Sequence, residues 1–252
     1  MPADSTSSFS AAFRKPTGLH PTLEILLQSK SLKPPSESCA LHAYLTLPSS
    51  IFVDRYQLSD PLFLASQNLA SLRSLSGETD LEAPDWVIKR WGSASLFELA
   101  RPDVKSPKTS GHWNISIPMH LRYLPPTDSK STTTGIRETQ IPYPAVFWAC
   151  EAEDGLKMNV NPFDRVNLGY DGLFGPKTMF YHIPPSESVL GSLVAPINVP
   201  VLDTAKAGYV EVGTAVAVLL GFAWVCWKLV SANRGEQAES STSRQTRKEK
   251  GK

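Results

Sequence analysis

Over residues 112–123 apolar and polar side chains alternate with period two. Trp113, Ile115, Ile117, Met119, Leu121 and Tyr123 fall on one side, and His112, Asn114, Ser116, His120 and Arg122 on the other. Such alternation predicts a half-buried strand. Pro118 predicts an edge or a bulge within it, because proline cannot donate to a ladder. Residues 39–47 read the same way, with Leu41, Ala43, Leu45 and Leu47 on one face, and 23–27, 145–149 and 178–183 are short apolar strand candidates. Residues 51–56 continue extended, while 86–91 and 95–100 read as two strands turning near Gly92. Within 62–77, Leu69, Leu72 and Leu75 stand at helical spacing, but the serines and Asn68 weaken a helix and leave the segment ambiguous. Residues 1–17 are polar and read as a flexible N-terminus, 101–111 and 125–135 as surface loops, and 161–175 as turn-rich. Short strands separated by turn signals predict a mainly β, antiparallel sandwich-like domain over residues 18–185.

The pattern changes after a linker at 186–207. From Gly208 to Trp227 the chain is apolar with no period, bounded by Lys206 and Lys228, and Glu211 is its one charge. A bilayer crossing needs about 20 apolar residues, so 208–230 is predicted as a single transmembrane helix followed by a basic tail, 231–252. A core helix seldom stays apolar on every face for so long. Gly213, Ala217 and Gly221 recur every fourth residue and share a helix face, where small side chains let another membrane helix approach closely.

Composition sharpens this division. The chain has 252 residues, 41% of them hydrophobic, and 21 prolines, which argue against long helices outside the membrane. Seven of the 25 basic residues lie in 228–252 against three of the 24 acidic ones; the remaining 18 basic and 21 acidic residues leave a net of −3. A slightly acidic domain carries no electrostatic footprint for nucleic acid. Basic residues flanking a span favour the cytoplasmic side, so the tail is expected in the cytoplasm and the domain in a lumen. The first residues contain no apolar stretch of a signal peptide, which keeps a tail-anchored chain with a cytosolic domain as the alternative. Lys248 and Lys250 match a dilysine retrieval pattern of endoplasmic reticulum membrane proteins. Asn114-Ile115-Ser116 is an N-glycosylation sequon on the wet face of its strand. Cys39 and Cys150 either pair, as an oxidising lumen permits, or remain two buried thiols; Cys226 lies inside the span.

Candidate chemistry is sparse. The sequence holds no HExxH, GxSxG, phosphate loop or GxGxxG, and no CxxC or Cys/His cluster. His112 and His120 share a strand face but stand eight positions apart, about 26 Å at strand rise, too far to chelate one ion. Glu151, Glu153 and Asp154 read as a solvated turn. Aromatic residues gather at Tyr143, Phe147, Trp148, Phe163, Tyr170, Phe174, Phe180 and Tyr181. Segment 161–176, with Phe163 and Phe174, is expected to lie against a partner or the membrane surface.

Four strings and the span carry a family resemblance. They are Gly18-Leu19-His20-Pro21; Asp80-Leu81-Glu82-Ala83-Pro84-Asp85-Trp86; Arg122-Tyr123-Leu124-Pro125; and Ile141-Pro142-Tyr143-Pro144-Ala145-Val146-Phe147-Trp148-Ala149-Cys150. In this order, from about Gly18 through the span, they resemble the PIG-X family, including its fungal relatives. The resemblance implies a non-catalytic, cofactor-free subunit of the endoplasmic reticulum membrane with its domain in the lumen. Its implied partner is PIG-M, the multi-spanning catalytic subunit of the first mannosyltransferase in glycosylphosphatidylinositol assembly, which it stabilises. Two other readings stand beside it: a general membrane chaperone or assembly factor for lumenal proteins, and a tail-anchored cytosolic adaptor.

Overall fold

The computed structural model describes residues 7–14, 17–28, 34–89, 91–101, 112–127, 135–152, 173–175, 177–187 and 193–249, with side chains to residue 232. The chain divides into two compact units, 1–126 with 135–201, and 127–134 with 202–252.

The first unit is mainly antiparallel β. Strands β1 (Ser8–Arg14), β2 (Thr22–Gln28) and β7 (His112–Pro118) form one sheet in the order β1-β2-β7. Strands β3 (Ala40–Pro48), β5 (Leu69–Gly77), β6 (Gly92–Leu99), β10 (Ala145–Glu151) and β11 (Thr178–Ile183) form a second, ordered β11-β10-β3-β6-β5. Two ribbons complete it: β9 (Ile136–Pro142) with β12 (Val194–Pro200), and β4 (Ile51–Phe52) with β8 (His120–Leu121). One core joins the layers. Leu23, Ile25 and Leu27 of β2 and Ile115 and Ile117 of β7 meet Leu41, Leu45 and Leu47 of β3, Phe97 of β6 and Trp148 of β10. The intervening residues of the five-stranded sheet, Tyr44, Leu96, Phe147, Ala149 and Phe180, bury a second cluster on its other face. Its central strands are thus covered on both sides, so β6 and β10 read as apolar runs and not as clean alternation.

Several sequence expectations are corrected. β1 lies within residues 1–17: Phe9, Ala11 and Phe13 alternate inward, and the flanking polar residues hid them. The ambiguous stretch splits into a short helix α1 (Pro61–Ser66) and strand β5. β5 has register shifts between Leu69 and Ser71 and between Leu72 and Ser74. Each bulge inserts one residue, so leucines three apart return to the core face and imitate helical spacing. The strand expected over 86–91 is a 3-10 turn, Asp85–Val87, with Trp86 and Trp91 exposed. β12 occupies part of the expected linker 186–207, its Ala195, Ile197 and Val199 alternating inward between outward prolines. β9, read as no element, is its partner. The strand over 112–123 breaks after Pro118, and its pattern breaks with it: Tyr123 turns out to solvent and Arg122 is buried.

In the second unit Thr127 donates its backbone N–H to Leu202 O (3.0 Å) and accepts from Thr204 N (3.1 Å). Asp203 Oδ1 accepts from Ala205 N at 3.0 Å, an N-cap that satisfies an orphan donor of helix α2 (Thr204–Glu249). Its segment Thr204–Ala232 is apolar enough to cross a membrane, with none of its apolar window buried.

Candidate docking site

Three of the sequence strings converge in space, and buried Arg122 organises them. Its backbone N–H donates to Ser50 O (2.8 Å), its Nη1 donates to Ala83 O (2.8 Å), and its guanidinium lies 4.4 Å over the Phe52 ring. Burial lowers its pKa, opposed by Glu78, Asp80 and Asp85. Arg122 therefore holds the 80–86 string by its Ala83 carbonyl. The next residue adds a second tie, Tyr123 O accepting from Asp85 N at 3.1 Å. The 18–21 string joins from the other side, where Leu121 N donates to Leu19 O and Met119 N to Pro21 O, both at 2.9 Å.

His20 and His120 meet here, Nδ1 to Nδ1 at 3.0 Å, and His120 Nε2 lies 3.0 Å from Gln57 Oε1. A carbonyl oxygen only accepts, so Nε2 carries the His120 proton, its Nδ1 accepts, and His20 donates. Burial lowers the His120 pKa first and the adjacent His20 second, with Asp54 opposing. The pair is not legible in the sequence because 100 positions separate the rings.

The 80–86 string belongs to a loop, 78–91, joining β5 to β6. Gly77 (φ +91°) and Gly92 (φ +143°) close it, and Glu78 N donates to Gly92 O at 2.9 Å. A methyl group on Gly92 would overlap the backbone of Leu47 and Pro48, and one on Gly77 the backbone of Gly92 and Ser93, so glycine is required at both. Inside the loop, Asp80 N donates to Glu78 Oε1 and Glu82 N to Asp80 Oδ1, each at 3.0 Å. Proline 84 precedes the 3-10 turn, and Val87 N donates back to Pro84 O at 3.0 Å. This ordered frame presents Trp86 (59% exposed), Trp91 (60%) and neighbouring Tyr123 (69%) to solvent.

The remaining candidates lie elsewhere. Asn114 is exposed on β7. Cys39, just before β3, and Cys150 of β10 are joined as a disulfide across adjacent strands, 111 positions apart in sequence. Next to it an open cavity of about 490 Å³ is lined by His42, Arg73, Glu151, Phe174 and Lys177. His42 Nδ1 donates to Ala40 O at 3.1 Å, and its ring stacks on Phe147 at 5.6 Å. Burial, the largest influence, drives its pKa down to about 4. Arg73 is held by Glu98 at 3.2 Å. Phe174 packs on His42, Phe147 and Phe180, half-buried against the second cluster. Phe163 and Lys250 lie outside the described residues, and Lys248 falls in α2 beyond the described side chains. Gly213 and Gly221 have open space where a side chain would stand, and Ala217 is exposed between them. Among the described residues no three His, Cys, Asp or Glu side chains are grouped to hold a metal ion.

Comparison with known proteins gives this arrangement a context. Residues 16–230 match the family model described as PIG-X / PBN1. The chain is 54% identical over 242 residues to Protein pbn1 of Neurospora crassa, covering 94% of this chain and 46% of that protein. It is 54% identical over 241 residues to Protein pbn1 of Emericella nidulans (90% and 45%) and 30% identical over 236 residues to Protein PBN1 of Saccharomyces cerevisiae (93% and 48%). The chain spans just under half the length of these relatives. A match over residues 16–230 covers both the Arg122-centred site and most of the apolar helix segment, and on it the chain belongs to the PIG-X / PBN1 family.

Proposed function

We propose that this chain is a non-catalytic, stabilising subunit of the endoplasmic reticulum mannosyltransferase that adds the first mannose in glycosylphosphatidylinositol assembly. Its β domain faces the lumen, its tail the cytoplasm, and its partner is the multi-spanning catalytic subunit of the PIG-M type. The reading is carried by the apolar segment Thr204–Ala232, whose window is exposed among the described residues. Lipid or another protein's helices would supply its packing, and the face of Gly213, Ala217 and Gly221 suits a close helix contact. The buried Cys39–Cys150 bond supports a lumenal domain, because disulfides persist in oxidising compartments. Exposed Asn114 then becomes an acceptor for an N-glycan, and Lys248 and Lys250 a retrieval address on the cytoplasmic side.

Affinity purification from native membranes in mild detergent tests the assignment. One multi-spanning mannosyltransferase subunit in stoichiometric yield is expected; many lumenal or membrane clients would point to a general assembly factor instead. Replacing Gly213 and Gly221 with isoleucine should reduce recovery of that partner. Protease added to intact microsomes should spare the domain, and Asn114→Gln should abolish an endoglycosidase-sensitive mobility shift. Digestion of the bulk of the chain would place the domain in the cytosol and end the proposal.

A further inference from the structure

We infer that residues 78–89 with Trp91 and Tyr123 form the docking surface for a Lys- or Arg-bearing segment of a protein partner; the inference rests on the subunit reading above and assigns the face that meets that partner. Trp86, Trp91 and Tyr123 are each well over half exposed, although aromatic side chains of this size normally contribute their area to a core or an interface. They are not on a loose loop. The Arg122–Ala83 and Asp85–Tyr123 hydrogen bonds, the Glu78–Gly92 tie and the two carboxylate turns fix the backbone over 78–85 and at Gly92, next to Trp91. A surface ordered in advance loses less conformational entropy on association.

The electrostatics select the occupant. Glu78, Asp80, Glu82 and Asp85 outnumber Lys89, Arg90 and the buried Arg122 that three of them act on, and Asp80 and Glu82 are exposed, as is Lys89. Aromatic ring faces attract cations through their quadrupole, so rings and carboxylates favour the same positive charge. An anionic bilayer surface would be repelled by that acidic rim. A segment carrying lysine or arginine among apolar residues satisfies both halves of the surface. Position is also suitable. Asn68 Nδ2 donates to Asn114 O at 2.8 Å at the start of β5, whereas the loop begins at the far end of that nine-residue strand. With its two bulges β5 spans the length of Ser93–Leu99 on its partner, so about 20 Å of strand separates the loop from the sequon.

Site-specific photocrosslinking in native membranes tests this, with benzoylphenylalanine placed in the full-length protein at Trp86, at Tyr123 or at exposed His112 near the sequon. Trp86 and Tyr123 should give an adduct with one polypeptide, mapping to a segment that contains lysine or arginine, and His112 should not. The change Glu82→Lys, which leaves the Asp80 turn intact, should lower that yield about tenfold, the scale of a close charge pair, with the Cys39–Cys150 bond retained as a check on folding. Lipid adducts, no protein adduct, equal yield at His112, or indifference to charge reversal would each overturn the surface. Should the adduct meet all these criteria in a protein other than a mannosyltransferase subunit, the surface stands and the subunit reading falls. Should the mannosyltransferase co-purify while the loop gives no adduct, the surface falls and the subunit reading stands.

Discussion

Replacing both Cys39 and Cys150 with alanine should cost the domain about 4–5 kcal/mol. The bond closes a loop of 111 positions. In the chain-entropy model a loop of that length removes about 4.8 kcal/mol of unfolded-state entropy at 25 °C. Alanine is the right replacement, because Cys39 is 0% and Cys150 3% exposed and serine would add two buried hydroxyls with their own cost. The loss is a large fraction of the roughly 5–15 kcal/mol that holds a domain folded. With a denaturant slope of about 2 kcal/mol per molar, the urea midpoint should fall by about 2 M, followed by fluorescence of buried Trp148 in detergent-solubilised protein. Thiol alkylation of the native chain supplies the companion measurement: both cysteines should resist modification until reductant and denaturant are added together. A midpoint within about 0.5 M of the unaltered chain, or free alkylation of Cys39 and Cys150 without reductant, would refute both the bond's energetic role and the compartment argument built on it.

Three further perturbations probe other parts of the frame. Gly92→Ala must place a side chain at φ +143° against the Leu47–Pro48 backbone, so it should destabilise by about 1–3 kcal/mol; a thermal melt unchanged by the substitution would contradict the close approach. Acidification should weaken the domain through His42. Its folded pKa of about 4 lies below the unfolded 6.5, so the unfolded chain binds the proton first, and stability complete above pH 6.5 is lost as pH falls toward 4. The loss approaches about 3 kcal/mol. A His42→Phe variant should show a shallower fall between pH 7 and 4.5 in urea midpoints, and an identical slope would remove His42 as the cause. Tyr143→Phe deletes a hydroxyl that donates to Ala11 O at 2.6 Å and accepts from Ala11 N at 3.1 Å. It should cost about 1–3 kcal/mol and speed amide exchange in β1 selectively, whereas uniform exchange across the domain would deny that Tyr143 anchors that strand.

Where burial was decided by neighbours along the chain, the sequence was readable. β7 and β2 alternate because one face meets the core, and the apolar helix is visible because no period interrupts it. Where burial was decided by a distant contact, it was not. Leu69, Leu72 and Leu75 looked helical because bulges, which depend on pairing with β6, changed the period of β5 from two to three. Arg122 sat on the polar side of a regular alternation, yet it is buried because Ser50 and Phe52 from one segment and Ala83 from another close over it. The resemblance strings marked the docking site without revealing why they belong together; their residues carry no shared chemistry until the fold ties Leu19 to Leu121, Ala83 to Arg122 and Asp85 to Tyr123.

The reversal at residues 86–91 carries the functional argument furthest. Read as a strand, Trp86 and Ile88 would have filled a core, worth about 1.5–3 kcal/mol for each large side chain buried. The fold forgoes that for Trp86, and at the same time commits a buried arginine, two left-handed glycines and several loop hydrogen bonds to holding the tryptophan in water. Desolvating an arginine is among the costlier features a small domain can carry. An arrangement that spends core stability to fix an exposed aromatic surface makes thermodynamic sense when another molecule buries that surface, and the acidic residues at its rim determine the charge that molecule must bring.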